Sequence, residues 1–258
     1  MIVSIKGVTC GYNGKKVISN LNFDFHSGEA VCILGSNGIG KTTFFKTLIG
    51  QLDFLEGDIL VDDRPLNQIG AKERARIFSY VPQAKNCSYQ FTVQDIIMMG
   101  RAAYIKQFAS PSAEDYRIVD EVMELLQISA YRQRGYHQLS GGQQQIVLLA
   151  RAIAQGAKYI LLDEPASNLD YLNQKKLLRT IQTLTESGVG ILMISHTPDH
   201  AFVCCKNALL IDREGRCMFG RAEEIITAEN LSKIYGTSIG TLKFTEDSGE
   251  TRYTCYLS

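Results

Sequence analysis

The sequence has no excess of either charge and no long apolar run. Lysine and arginine together number 27, and aspartate and glutamate also number 27. A nucleic-acid-binding protein usually carries a basic excess, so we expect no nucleic-acid partner. No stretch approaches the roughly 18 consecutive apolar residues of a membrane-spanning helix, and the start of the chain lacks the basic and apolar regions of a signal peptide. We therefore expect neither element here.

Cysteine is present, but not in the patterns that hold a metal or build a disulfide framework. There are seven cysteines, an odd number, and none are in CxxC spacing. Cys204 and Cys205 are adjacent, which does not easily allow an ordinary disulfide or a shared metal. We predict reduced structural thiols, as in cytosolic proteins.

The chain does contain enough apolar sequence, 45% of 258 residues, for one large domain or for a domain with an inserted lobe. Strand patterns occur in residues 1–83, together with one helical pattern at 41–52, and return in 157–222, whereas residues 84–156 carry helical patterns. In that block Ser112, with Asp115 three residues on, is a candidate helix cap. We predict an α/β core interrupted by a helical subdomain, and a C-terminal extension at 223–258 whose end could form a small strand pair packed on the core.

A glycine-rich loop that satisfies GxxxxGK[ST] directly follows the short apolar strand "AVCIL". In such a loop the backbone N–H groups turn toward phosphate oxygens, and the positive end of the following helix faces the same anion. Lys41 is expected to reach the β- and γ-phosphates, and the hydroxyl of Thr42 to bind Mg²⁺. The predicted nucleotide-binding residues of this segment are Gly35, Ser36, Asn37, Gly38, Ile39, Gly40, Lys41, Thr42 and Thr43.

Two carboxylates, Asp163 and Glu164, end the apolar strand "YILLD" and its turn. Asp163 suits a direct or water-mediated contact with Mg²⁺, and Glu164 suits polarisation of an attacking water. Alone, the pair would read as an acidic turn after a buried strand. Together with the upstream glycine loop it predicts the acidic half of a nucleotide site.

A second candidate anion site lies about a hundred residues after the first, in "LSGGQ". Ser140, Gly141 and Gly142 precede an amphipathic helix, so the serine hydroxyl and the first amides can bind an anion. One chain of this length thus has two places to hold phosphate, and the residues alone do not say why.

An ordered set of motifs resembles the nucleotide-binding subunits of ABC transporters over essentially the whole chain. Besides the glycine loop and "LLDEP", the set comprises Tyr12, Gln83 in "YVPQ", the signature Leu139–Gln143, the D-loop "SNLD" ending at Asp170, and His196 in "ISH". The resemblance implies a P-loop NTPase (RecA-like) ABC ATPase core with an antiparallel β subdomain and an inserted α-helical subdomain. It also implies an ATPase that uses ATP and Mg²⁺.

The same resemblance supplies roles for single residues. Tyr12 would stack on adenine, Gln83 would contact Mg²⁺ and water, and His196 would contact the γ-phosphate and the attacking water beside Glu164. Asp170 would either contact a partner subunit or cap a turn.

The second phosphate element also receives an explanation from the resemblance. Ser140, Gly141, Gly142 and Gln143 would bind the γ-phosphate of ATP held by another copy, in a head-to-tail homodimer that sandwiches two ATP molecules.

Finer likeness points to one branch of this family. "TVQDIIMMGR", "SPSAEDYRIVDEVMELLQI" and "EEIITAENLSKIYG" are similar to importers of ferric siderophores, haem and cobalamin. This implies a peripheral subunit on the cytoplasmic face of the membrane, joined to separate permease subunits and indirectly to a substrate-binding protein. Three alternatives stay open: an ABC ATPase of soluble iron–sulfur assembly, an ABC ATPase of another transport substrate, and a nucleotide-gated regulatory module without significant turnover.

Overall fold

The computed structural model describes residues 1–83, 90–106, 108–245 and 251–257. Within that part of the chain the strands are β1 (Ile2–Tyr12), β2 (Lys15–His26), β3 (Ala30–Gly35), β4 (Phe54–Val61), β5 (Arg64–Pro65), β6 (Phe78–Val81), β7 (Tyr159–Asp163), β8 (Gly190–Ile194), β9 (Asn207–Ile211), β10 (Cys217–Arg221), β11 (Ile239–Thr245) and β12 (Thr251–Leu257). The α-helices are α1 (Lys41–Leu48), α2 (Ala71–Ile77), α3 (Val93–Met98), α4 (Ala113–Leu125), α5 (Gly141–Ala154), α6 (Tyr171–Glu186), α7 (Asp199–Cys204), α8 (Ala222–Ile225) and α9 (Ala228–Tyr235).

A six-stranded sheet in the order β10-β9-β3-β8-β7-β6 forms the centre of the fold. Its strands from β9 to β6 run parallel, and β10 is an antiparallel edge strand. Every residue of β3, β7 and β8 is buried, as expected for parallel strands covered on both faces. Because the carboxyl ends of β3 and β7 meet at one edge, the glycine loop and the two carboxylates come together there.

A second, antiparallel sheet has the order β2-β1-β4-β5. Buried and exposed residues alternate along the second half of β2, so one face packs on the core and the other meets water. Between the two sheets Phe23, Phe25 and Phe44 join a buried cluster, with the rings of Phe23 and Phe44 edge to face at 5.9 Å. The predicted α/β fold with an antiparallel β subdomain is confirmed.

The helical segment packs on the other face of the central sheet through α5, and α3 and α4 pack on α5 in the same buried cluster. The predicted cap is present: the side chain of Ser112 accepts from the amide of Asp115, and the carboxylate of Asp115 accepts from the amide of Ser112. The predicted helical block starts at residue 84, but residues 84–89 lie outside the described residues; α3 begins at Val93 behind a capping box of its own.

Arg101 and Asp115 form a buried ion pair inside the helical segment. The Nε atom of Arg101 donates to Oδ1 of Asp115 at 2.9 Å, and the two residues are 8% and 6% exposed. Arg101 also donates to the carbonyl of Ala154 at the end of α5, and its guanidinium lies 4.1 Å from the ring centre of Tyr104. In the sequence, "TVQDIIMMGR" and "SPSAEDYRIVDEVMELLQI" showed only a likeness to one branch of the family. In the structure, Arg101 of the first segment and Asp115 of the second form one ion pair.

The C-terminal segment forms the expected strand pair. Strands β11 and β12 pair in antiparallel register, and residues 246–250 between them lie outside the described residues. The hairpin packs on α7, where the rings of Phe202 and Tyr253 stack at 5.1 Å and the amide of Cys255 donates to Asp199 at 2.9 Å. The extension therefore rests on the helix that follows His196.

The cysteines of the described residues are free thiols, as predicted. The Sγ atoms of Cys204 and Cys205 are 3.7 Å apart, and this contact, followed by burial, raises the pKa of the Cys204 thiol. Cys87 lies outside the described residues. In the part of the chain with described structure, no helix has the length and apolarity needed to cross a membrane.

Candidate nucleotide site

The glycine loop bridges the end of β3 and the start of α1. Gly38 and Gly40 have φ values of 78° and 107°, and a Cβ on Gly40 would lie 2.7 Å from Val17, so both the dihedral and the space require glycine there. The side chain of Ile39 packs against the apolar cluster between the sheets. Its size therefore does not fill the cradle that the loop amides form.

Lys41 lies across this cradle. Its ammonium donates to the carbonyls of Gly35 at 2.7 Å and Ser36 at 2.9 Å, and the residue is 6% exposed. Burial lowers the pKa of Lys41, and the negative charges of Glu164 and Asp163 oppose that shift. A buried cation that donates to two backbone carbonyls is suited to exchange these contacts for phosphate oxygens.

Asp163 faces the start of α1. The hydroxyl of Thr42 donates to Oδ2 of Asp163 at 2.9 Å, and the hydroxyl of Tyr80 donates to the same oxygen at 2.9 Å. Sequence reasoning missed Tyr80. A signal existed, because β6 and β7 are neighbours: Tyr80 pairs with Leu161, and Asp163 lies on the same face of its strand two residues on.

Glu164 is held at both carboxylate oxygens. Oε1 lies 2.6 Å from Nε2 of His196, and the amide of Gln83 donates to Oε2 at 3.3 Å and to the hydroxyl of Ser167 at 3.2 Å. Glu164 itself has a φ of 51°, in the left-handed region that non-glycine residues seldom occupy. Such a conformation costs of order 1–3 kcal/mol and is concentrated at functional sites. The hydrogen bonds of Glu164 bring it together with His196 and Gln83, the other two predicted catalytic side chains.

Tyr12 lies at the end of β1, beside the start of α1. It is 41% exposed, and its hydroxyl accepts from Thr43 at 3.1 Å. An aromatic ring with an open face thus lies near the loop, as stacking on a base would require.

The signature residues form the N-terminus of α5. Ser140 is the N-cap and forms a capping box with Gln143, whose side chain also donates to the hydroxyl of Tyr131. Ser140 and Gly141 are exposed. The amides of Gly141 and Gly142 belong to the first turn, which has no intrahelical acceptors. This end of the helix can receive an anion.

The glycine loop side and the signature line different clefts. One cleft, of about 520 Å³, is lined by Thr42, Gln83, Asp163 and Glu164; the other, of about 700 Å³, is lined by Ser140 through Gln143 and by Asp170. Among the described residues these two clefts have no lining residue in common. The two phosphate elements of one chain therefore do not face one shared pocket.

Asp170 caps α6 within its own chain. Its Oδ1 accepts from the amide of Asn173 at 2.8 Å, and its Oδ2 accepts from the side-chain amide of Asn173 at 3.0 Å. Of the two roles considered for this residue, the observed contacts are those of a helix cap.

Comparison with known proteins agrees with this geometry. The family model described as ABC transporter matches residues 18–167. An uncharacterized ABC transporter ATP-binding protein of Haemophilus influenzae is 39% identical over 92% of this chain and 90% of its own length. The molybdate import ATP-binding protein MolC of the same organism is 34% identical over 85% and 81%.

Relatives with other named substrates and one solved structure match over similar lengths. A Helicobacter pylori protein named for iron chelatin transport is 31% identical over 93% of this chain and 94% of its own. A solved ABC transporter described as of the metal-chelate type, in an inward-facing conformation, matches with a TM-score of 0.86 and 28% identity over 99% of this chain and 98% of that one. The chain belongs to the ABC transporter family, as an ATP-binding subunit that hydrolyses ATP to drive transport.

Proposed function

We propose that this protein energises the uptake of a metal chelate, an iron complex such as a ferric siderophore or haem, or cobalamin, through a separate membrane permease. The observation that carries the catalytic part is the constellation around Glu164, held between His196 and Gln83 beside the glycine loop. The cargo assignment rests on similarity to the metal-chelate type transporter and to the iron chelatin relative. The molybdate relative keeps an oxyanion cargo as the second candidate.

The donor groups near Thr42 fit Mg²⁺. A hydroxyl from Thr42, a carboxylate from Asp163 and a side-chain amide from Gln83 are the hard oxygen donors that this ion prefers. When bound together with ATP, the ion would neutralise charge on the phosphate oxygens. Thr42, Asp163 and Gln83 are therefore our proposed metal-binding residues.

Each catalytic side chain has a proposed task. Lys41 would exchange its two carbonyl contacts for the β- and γ-phosphates. Glu164 would orient the attacking water and accept its proton, since a carboxylate within hydrogen-bond reach of a water can serve as a general base. His196, 2.6 Å from Glu164, would fix that carboxylate and contact the γ-phosphate. Tyr12 would stack on the adenine.

A second copy of this chain would complete each site. The separate clefts of the glycine loop and the signature support this arrangement, because ATP on the loop would reach a signature only when another chain supplies it. A two-fold head-to-tail dimer satisfies both loops and both signatures at once. ATP would then form part of the interface, and its hydrolysis would release the dimer.

The permease is proposed to dock between the core and the helical segment. A cleft of about 590 Å³ there is lined by Ile49, Gln51, Phe78, Met99 and Gly100, and Met99 is 42% exposed. This cleft supports a docking surface near residues 83–101, of which 84–89 lie outside the described residues. The protein would thus be peripheral at the cytoplasmic face, and a substrate-binding protein would join through the permease.

We also propose that the chain is divided into a core at 1–83 and 157–222, a helical subdomain at 84–156 and an extension at 223–258.

Affinity capture from solubilised membranes of the source cell, with ATP present, tests this proposal. We expect a polytopic permease together with a substrate-binding protein, whose bound ligand would identify the cargo. Met99→Glu should abolish capture of the permease while ATP binding persists. The control is Tyr116→Glu, which changes an exposed residue of α4 that does not line the cleft and should leave capture of the permease intact. Recovery of soluble scaffold proteins alone would favour the iron–sulfur assembly alternative and overturn the transport assignment.

A further inference from the structure

Tyr80 makes a contact that the proposed mechanism does not use. Its hydroxyl donates to Oδ2 of Asp163 at 2.9 Å, the oxygen that also accepts from Thr42. Neither bond involves Oδ1. Two donors on Oδ2 fix the rotation of the Asp163 carboxylate. This rotation sets the direction in which Oδ1 points.

The position of Tyr80 is itself well determined. Its ring packs edge to face against Phe45 of α1, with centres 6.3 Å apart. Its carbonyl accepts from Arg151 of α5 at 3.3 Å, and its strand leads to Gln83 three residues on. Tyr80 thus contacts the helix of the phosphate loop, the strand of the metal carboxylate and the helix of the signature.

The hydroxyl of Tyr80 is the donor in this contact, because the carboxylate of Asp163 is an acceptor. By contrast, the hydroxyl of Thr42 has to offer a lone pair to the metal, so the bond from Tyr80 is the one whose only task is to orient Asp163.

We propose that Tyr80 is a positioning residue for the metal-binding carboxylate Asp163. It acts through Asp163 and does not touch the nucleotide. This inference rests on the proposed function, in which Asp163 helps to hold Mg²⁺. Residues that orient metal ligands by hydrogen bonds typically alter metal affinity by about 10- to 100-fold when they are removed.

The test compares Tyr80→Phe with Tyr159→Phe. Tyr159 is a buried tyrosine of β7 whose hydroxyl donates to the carbonyl of Met1 at 2.7 Å, away from the site. Each variant loses one hydrogen-bonded hydroxyl and keeps its ring. The probe is Mn²⁺, titrated by electron paramagnetic resonance into protein with a non-hydrolysable ATP analogue; melting temperatures report folding.

We expect Tyr80→Phe to raise the Mn²⁺ dissociation constant about 10-fold. ATP affinity in the presence of EDTA should be unchanged, and turnover should largely recover at saturating Mg²⁺, because the hydroxyl does not contact the reacting atoms. Tyr159→Phe should bind Mn²⁺ like the unaltered protein.

The Asp163→Asn variant separates the two possible failures. If Asp163→Asn loses Mn²⁺ binding but Tyr80→Phe binds as tightly as Tyr159→Phe, or more tightly, then the inference on Tyr80 is wrong and the metal site stands. If Asp163→Asn also binds Mn²⁺ normally, then the proposed metal site itself is wrong.

Discussion

Replacing Asp115 by asparagine should destabilise the helical segment strongly. The change removes the carboxylate that contacts Arg101, whose guanidinium would stay in a site where the residue is 8% exposed. Breaking a buried ion pair in this way costs about 3–5 kcal/mol. Since domains of this kind are stable by roughly 5–15 kcal/mol, such a loss would be a large part of the total.

Urea unfolding followed by circular dichroism measures this cost, and hydrogen exchange in α4 detects opening of the helical segment alone. The matched control is Arg117→Met, which breaks exposed ion pairs with Glu114 and Glu121 on the same helix. Exposed pairs contribute roughly 0–1 kcal/mol. The double variant Arg101→Met with Asp115→Asn should recover much of the loss, because no buried charge then lacks its partner.

The effect should also depend on pH in a defined direction. Hydrogen bonds from Ser112, and after them the contact with Arg101, lower the pKa of Asp115 from 3.8 to about 2. A carboxyl group with a lowered pKa in the folded state contributes its stabilisation above the unfolded value, and the contribution is lost as pH falls toward the folded value. The difference in the free energy of unfolding between the unaltered protein and Asp115→Asn should be constant above about pH 5 and shrink below about pH 4. A loss no larger than that of Arg117→Met would refute the reasoning.

Two further predictions concern the catalytic edge of the sheet. Glu164→Gln should retain ATP binding and stabilise the ATP-bound dimer, while phosphate release falls by about 10²- to 10⁴-fold, the usual range for a general base; release at the unaltered rate would exclude that role. His200 is buried, and its Nδ1 lies 3.0 Å from the hydroxyl of Ser195. Burial lowers the pKa of His200, so on acidification this side chain takes up a proton in the unfolded chain before it does so in the folded chain. Stability should therefore fall as pH drops below about 6.5, and melting curves of His200→Gln should show a smaller fall over the same range.

Much of the fold could be predicted from local pattern. The apolar runs "AVCIL" and "YILLD" predicted the strands β3 and β7, and the capping pair of Ser112 and Asp115 marked the start of α4 correctly. These features depend on residues that are close in sequence, so their physical cause is visible there. The pairing of the two carboxylates with the glycine loop predicted one common site, and the structure places them at the common edge of the parallel strands.

The remaining features depend on distances that no local pattern contains. Tyr80 and Asp163 are 83 residues apart in sequence, and Arg101 and Asp115 are 14 residues apart. The left-handed backbone of Glu164 is a non-glycine exception that residue preferences argue against. Only the folded chain shows that the glycine loop and the signature face different clefts.

The central claim, that each ATP site is built from two copies of the chain, is tested most directly by mixing two inactive variants. Lys41→Ala disables the phosphate loop, and Ser140→Arg disables the signature. In a head-to-tail dimer of one variant with the other, the intact loop of the second chain meets the intact signature of the first. We predict that each variant alone is inactive and weakly affected in folding, and that an equal mixture recovers up to about a quarter of the unaltered ATPase activity, since half of the dimers would hold one complete site of two. A mixture as inactive as its components, although the two variants form mixed dimers, would contradict the account.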